Sequence, residues 1–199
     1  MKVEEPDLAG TYSYGDYLNW TWVEMVELIH GKIYKMSPAP SSLHQRISGE
    51  LFRQIANFLT EKRCQVFSAP FDVRLSSSKT KNDNDIFTVV QPDLCVVCEP
   101  SKIDKRGCLG APDWIIEILS KNTSSKDLNE KFDVYEEASV KEYWVVHPEE
   151  QTVLVYILDE LGKYRGQRKP YARSNKIFSA TLPDLTIDLS TVFPEEDYE

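Results

Sequence analysis

Glu117 stands in the middle of an apolar run, Trp114-Ile115-Ile116-Glu117-Ile118-Leu119. An ionised carboxylate is costly to bury alone. It must therefore be protonated, hydrogen-bonded, paired with a base or bound to a cation. Asp93 follows Pro92 at the mouth of a second apolar run, Leu94 to Cys98. If the two runs are neighbouring strands, their acids converge at one edge of a sheet, and two converging carboxylates repel unless a cation or a proton lies between them. Hard oxygen donors of this kind suit Mg²⁺ or Mn²⁺. The simpler alternative is a structural pairing of Glu117 with a lysine or with backbone donors.

Three further residues could join such a site. Lys131 lies about 60° from the centre of a Leu128/Phe132/Tyr135 stripe on a helix, so its stem can follow the core and bring the ammonium to the sheet edge. Asp127, one turn earlier, offers it an ordinary surface ion pair instead. Glu27 falls in a short predicted strand and His44 in the first turn of a predicted helix; each alone is a weak signal. The stretch 163–176, KYRGQRKPYARSNK, interleaves six basic residues with Tyr164 and Tyr171. Such a pattern suits phosphate contact and base stacking, although a solvated hairpin is the plainer reading. There is no nucleophile elbow, phosphate loop or dinucleotide fingerprint.

The elements that must position these residues follow from periodicity and punctuation. An aromatic-rich stretch from Tyr14 to Trp22 reads as helical. MVELI and KIYKM flank His30-Gly31 as a hairpin, closed by Pro38 and Pro40. Leu43, Ile47, Leu51, Ile55, Phe58 and Leu59 recur at helical spacing over 42–62, with Ser41 or Ser42 as cap. Residues 65–75 read as a strand with an edge or bulge at Pro70, and 76–85 as a polar loop. A strand from about Phe87 through Cys98 and another over 114–119 are continuously apolar, which implies burial on both faces. A helix capped by Ser124 comes next, with Leu128, Phe132, Tyr135 and Ala138 inward. Strands follow at 143–146 and 153–158, with a last one near 185–189 and a loose acidic tail. This order predicts one α/β or α+β domain over 1–199, with a mixed sheet flanked by helices.

Composition narrows the function classes. At 199 residues and 41% hydrophobic the chain can bury a sizeable core. No apolar run is long enough for a membrane span, and MKVEEPDLAG has no signal-peptide core, so a cytoplasmic protein is expected. The net charge of −9 disfavours a strong non-specific DNA binder but leaves room for a local basic groove or a divalent cation at an acidic site. Cys95 and Cys98 are three apart in a strand and so face opposite ways. With Cys64 and Cys108 they are expected to be buried thiols in a reducing compartment rather than zinc ligands.

The ordered series VELIHGKIYKMSPAPSSLHQRI, DVRL, QPDLCVV, WIIEILS, KDLNEKFDVY and VKEYWVVHP resembles the Uma-two family, once catalogued as a domain of unknown function and named restriction endonucleases. It belongs to the PD-(D/E)xK nuclease superfamily. The resemblance covers about residues 14–190. It implies a restriction-endonuclease-like fold, Mg²⁺- or Mn²⁺-dependent hydrolysis of DNA phosphodiesters and a homodimer. Aromatic residues Tyr12, Tyr14, Tyr17, Trp20 and Trp22 are also dense for a surface extension, which favours pairing. It places the metal-binding acids on Asp93 and Glu117. The lysine expected two residues beyond the second acid is replaced by Leu119, and the matching cation on the next helix is Lys131. Glu27 and His44 become accessory members of the site. The rival readings are a catalytically idle nuclease fold that binds nucleic acid or protein, and a metal-dependent hydrolase of another phosphate ester.

Overall fold

A computed structural model describes residues 6–20, 25–36, 41–76, 82–120 and 127–195, the side chains of 127 and 128 apart. The architecture is mixed α+β, with helices on two larger sheets. The His30-Gly31 hairpin forms as expected. Strands β1 (Val26–Ile29) and β2 (Lys32–Lys35) pair antiparallel, and the turn residues His30 and Gly31 both take positive φ, 49° and 76°, the twist-matching conformation of a two-residue hairpin turn.

The first helix, α1, is shorter than the aromatic run suggests. It spans Tyr14–Tyr17, with Ser13 and Asp16 forming a capping box; Trp22 lies outside the described residues. Tyr14 is buried with Leu28, Ile86 and Val89, and Tyr12, Tyr17 and Trp20 pack against this group. These aromatics are therefore used within the chain, and their density does not itself call for a partner. Helix α2 (Ser42–Leu59) is capped by Ser41 and buries Ile47, Leu51, Ile55 and Leu59. Pro38 and Pro40 lie outside the described residues.

Two strands expected to be continuous are each broken. Residues 65–75 form β3 (Gln65–Ser68) and β4 (Val73–Leu75), which belong to different sheets. Residues 87–98 likewise divide into β5 (Thr88–Val90) and β6 (Leu94–Val97). In both cases a proline, Pro70 or Pro92, stands in the break, where it has no N–H to give to a ladder. Asn82 caps a short 3₁₀ turn, Asp83–Asp85; the rest of the polar loop, 77–81, lies outside the described residues.

The first sheet has the order β2-β1-β5-β4-β8-β7, with β7 (Ile103–Asp104) and β8 (Gly107–Leu109) forming an added hairpin. The second contains β9 (Trp114–Ile118), β10 (Glu142–His147), β11 (Thr152–Leu158) and β12 (Tyr164–Gly166) in the order β12-β11-β10-β9-β6-β3, with β13 (Tyr171–Ala172) also on β11. Strands β9 and β10 run parallel, while β9 and β6 run antiparallel. β14 (Lys176–Phe178) and β15 (Thr186–Asp188) form a ribbon. The expected single sheet is thus two larger sheets, because the proline breaks let the chain change layers.

Between β9 and β10 the chain makes a π-helical turn, Asp127–Lys131, then α3 (Phe132–Glu137). Ser124 lies outside the described residues. The last helix, α4, is Leu189–Val192. The second sheet is covered on both sides. Leu94, Val96, Trp114, Ile116, Ile118 and Trp144 meet α2 on one face. Cys95, Val97, Ile115 and Val145 meet α3 and the first sheet on the other. Cys95 and Cys98 do point to opposite faces, but the expectation of four thiols is corrected. Cys98, directly opposite Cys64 beyond the Gln65–Val97 pair, is disulfide-bonded to it, while Cys95 and Cys108 are free and buried.

Candidate active site

Strand alternation sends Ile115, Glu117 and Leu119 to the face that meets α3. Glu117 is 3% exposed, and its Oε1 accepts from the Lys131 ammonium at 2.8 Å and from the Tyr135 hydroxyl at 2.6 Å. Lys131 does more than border the buried stripe. It is 4% exposed, and among the described residues of this turn and helix Lys131, Val134 and Tyr135 are buried, an i, i+3, i+4 face, with Phe132 and Ala138 packed partly buried against the same cluster as expected; the side chain of Leu128 lies outside the described residues. Its Nζ also lies 3.0 Å from Glu27 Oε1. Glu27, 2% exposed on β1, accepts the backbone N–H of Gln91 at 2.8 Å. One ammonium therefore ties a carboxylate of the first sheet to one of the second.

Asp93 sits where the chain passes from β5 to β6. Its Oδ2 accepts the backbone N–H of Ile118, the residue after Glu117, at 2.7 Å, and its Oδ1 lies 3.2 Å from His44 Nε2. His44 is held at the start of α2 by Ser41, whose hydroxyl accepts its N–H. The five residues singled out from the sequence thus fall into two groups, Glu27–Lys131–Glu117 and Asp93–His44, linked through the hydrogen bond of Asp93 to the backbone of Ile118, the residue after Glu117. Asp127, the alternative partner of Lys131, has no described side chain.

Tyr135 is the member that sequence reasoning missed. It counted as one of the inward residues, yet a buried tyrosine hydroxyl needs a partner, and that need was the available signal. Burial, and next the negative charges of Glu117 and Glu27, push this hydroxyl well above the ordinary tyrosine range, so it is a proton donor throughout the range of the folded protein. Gln91 is a second omission, because backbone donors leave no trace in residue type. The thiol of Cys95 is pushed up by burial, then by Cys108 and Glu117, so it is a neutral neighbour. Tyr17 is raised to about 12 by burial and by Asp72 and Glu27, against a hydrogen bond from Gln91.

The basic stretch carries β12 and β13, which both pair with β11 rather than with each other, and four of its six basic side chains join ion pairs. Lys163 pairs with Glu136, Arg165 with Asp159, Arg173 with Glu195 and Lys176 with Asp188. Tyr164 turns inward to donate to the Val140 carbonyl.

The Uma2 family profile, described as putative restriction endonuclease, matches residues 15–190. The chain belongs to the Uma2 family. A crystal structure of a putative nuclease belonging to DUF820, from Anabaena variabilis ATCC 29413, superposes with a TM-score of 0.69 at 21% identity, covering 91% of this chain and 97% of that one. It shows that the fold is shared. An uncharacterized protein of Synechocystis sp. is 29% identical over 122 residues, and the match spans 60% of each chain. Among the described residues no helix is long and apolar enough to cross a membrane.

Proposed function

We propose that this Uma2 chain is a metal-dependent endonuclease that hydrolyses DNA phosphodiester bonds, with Asp93, Glu117, Lys131, Glu27 and His44 as its working groups. The observation that supports this best is the 2.8 Å contact of Lys131 with Glu117: a helix supplies the cation that Leu119 cannot. The donor set suits Mg²⁺ or Mn²⁺. Among the described residues no three His, Cys, Asp or Glu side chains are grouped to hold a metal, but Mg²⁺ commonly takes one or two carboxylates and leaves its other positions to water and substrate phosphate. Asp93 and Glu117 would hold it. Bound there, the ion would polarise the scissile phosphate and lower the pKa of a water.

The remaining steps belong to the chain. The Ile118 N–H fixes one oxygen of Asp93, and a proton on His44 Nε2 steadies the other. Glu27 anchors Lys131 from the opposite sheet, so the ammonium keeps its place when substrate arrives. Lys131 stabilises the negative charge that grows on the phosphate.

The test is cleavage of single- and double-stranded DNA with Mn²⁺ by wild type and Glu117→Gln. Metal-dependent cleavage by wild type, reduced about a hundredfold or more in the variant, is the expected outcome. Hydrolysis of nucleotides but not polynucleotides would redirect the reading to another phosphate ester. DNA binding with no cleavage under any metal would leave a nuclease fold that only binds.

A further inference from the structure

We propose that Tyr135 is a positioning residue that fixes the carboxylate plane of Glu117 for metal binding; this rests on the metal site proposed above. Tyr135 is fully buried on α3, one turn after Lys131. Its hydroxyl and the Lys131 ammonium converge on the same oxygen, Glu117 Oε1, at 2.6 and 2.8 Å. The two donors differ in kind. An ammonium on a four-carbon stem is a point charge that tolerates many angles, and Lys131 is shared with Glu27. A phenol hydroxyl stands at a fixed distance from a rigid ring, and this ring is wedged edge-on against Tyr143, 5.1 Å between centroids at 71°. Lys131 therefore supplies charge and Tyr135 supplies direction. Direction matters because the last torsion of a glutamate is broad. Of the two donors at Oε1, the hydroxyl is the one that sets a direction for that torsion. Groups that orient a metal ligand typically cost ten- to hundredfold in affinity when removed.

The discriminating experiment is Mn²⁺ titration of the purified chain, followed by electron paramagnetic resonance of the free ion, for wild type, Tyr135→Phe and Tyr164→Phe. Tyr164→Phe is the control for a purely structural hydroxyl: Tyr164 is buried in the same cluster, and its hydroxyl donates to the Val140 carbonyl at 2.9 Å, away from the acids. We expect Tyr135→Phe to weaken Mn²⁺ binding about tenfold or more and Tyr164→Phe to stay within about twofold of wild type. DNA cleavage should lose kcat in Tyr135→Phe with KM for DNA little changed. Equal Mn²⁺ affinity in wild type and Tyr135→Phe would overturn the role of Tyr135 and leave the metal site standing. Equal weakening in both phenylalanine variants would assign the effect to the cluster and overturn it as well. No Mn²⁺ binding by wild type would remove the metal site and this role together.

Discussion

Lys131 lies at 4% exposure between Glu117 at 2.8 Å and Glu27 at 3.0 Å. Burying an ammonium is tolerable only where acids lie close enough to offset its desolvation. Removing it takes that countercharge from two buried acids. Lys131→Met should therefore cost about 3–5 kcal/mol of stability in metal-free buffer, and adding Glu27→Gln should recover part of the loss by removing one of the stranded charges. Urea unfolding of the three proteins checks this; a Lys131→Met variant as stable as wild type would show that the ammonium is not the link between the sheets. At this scale much of the constellation could be read in advance. Glu117 announces itself as a charge inside an apolar run, and Asp93 as an acid at a strand mouth. Lys131 was legible only in part, because a lysine is not naturally counted in a buried stripe, yet the inward face runs through it. Tyr135 offered only the need of a buried hydroxyl for some partner, and Gln91 offered no signal, because the groups they meet come from distant strands.

Among elements, the proline breaks do the most to shape the site. Pro92 ends β5, and the chain crosses to the second sheet with Asp93 at the crossing. The sequence marks the break but not its consequence, because which strands pair is set by distant segments and not by local pattern. The hairpin, α2 and the fully buried β6 and β9 could be read from local turn chemistry and periodicity. The division into two sheets and the hairpin of β7 and β8 could not. A second polar node stands at the start of β9. Asp113 Oδ2 accepts the Cys98 N–H at 2.7 Å, and Oδ1 accepts from Lys141 at 2.6 Å. Burial alone would raise its pKa; the Lys141 and Cys98 hydrogen bonds, with the charges of Lys141 and Lys102, outweigh that and lower it. A carboxyl whose folded pKa lies below its unfolded value of about 3.9 adds stability that is present above that value and is lost as pH falls through the folded one. Asp113→Asn should therefore lower stability at pH 7 and flatten the acid limb of the stability profile below about pH 4. Urea unfolding across pH would reveal an unchanged acid limb if Asp113 makes no such contribution.

For the whole molecule, the net charge of −9 and the pairing of four basic side chains of 163–176 with acids leave that stretch a poor platform for DNA backbone. Under the proposed function, attraction for phosphate would then arise locally, at the proposed divalent cation. The second sheet, covered by α2 on one face and by α3 and the first sheet on the other, fixes the acids before any ion arrives, so metal binding should register as added stability of the native state. At a concentration about a hundredfold above Kd the gain is about 2.7 kcal/mol. Thermal unfolding with and without Mn²⁺, for wild type, Asp93→Asn and Glu117→Gln, measures it directly. The account predicts a clear rise in Tm for wild type that is abolished in Glu117→Gln and diminished in Asp93→Asn; a rise of the same size in both variants would contradict it.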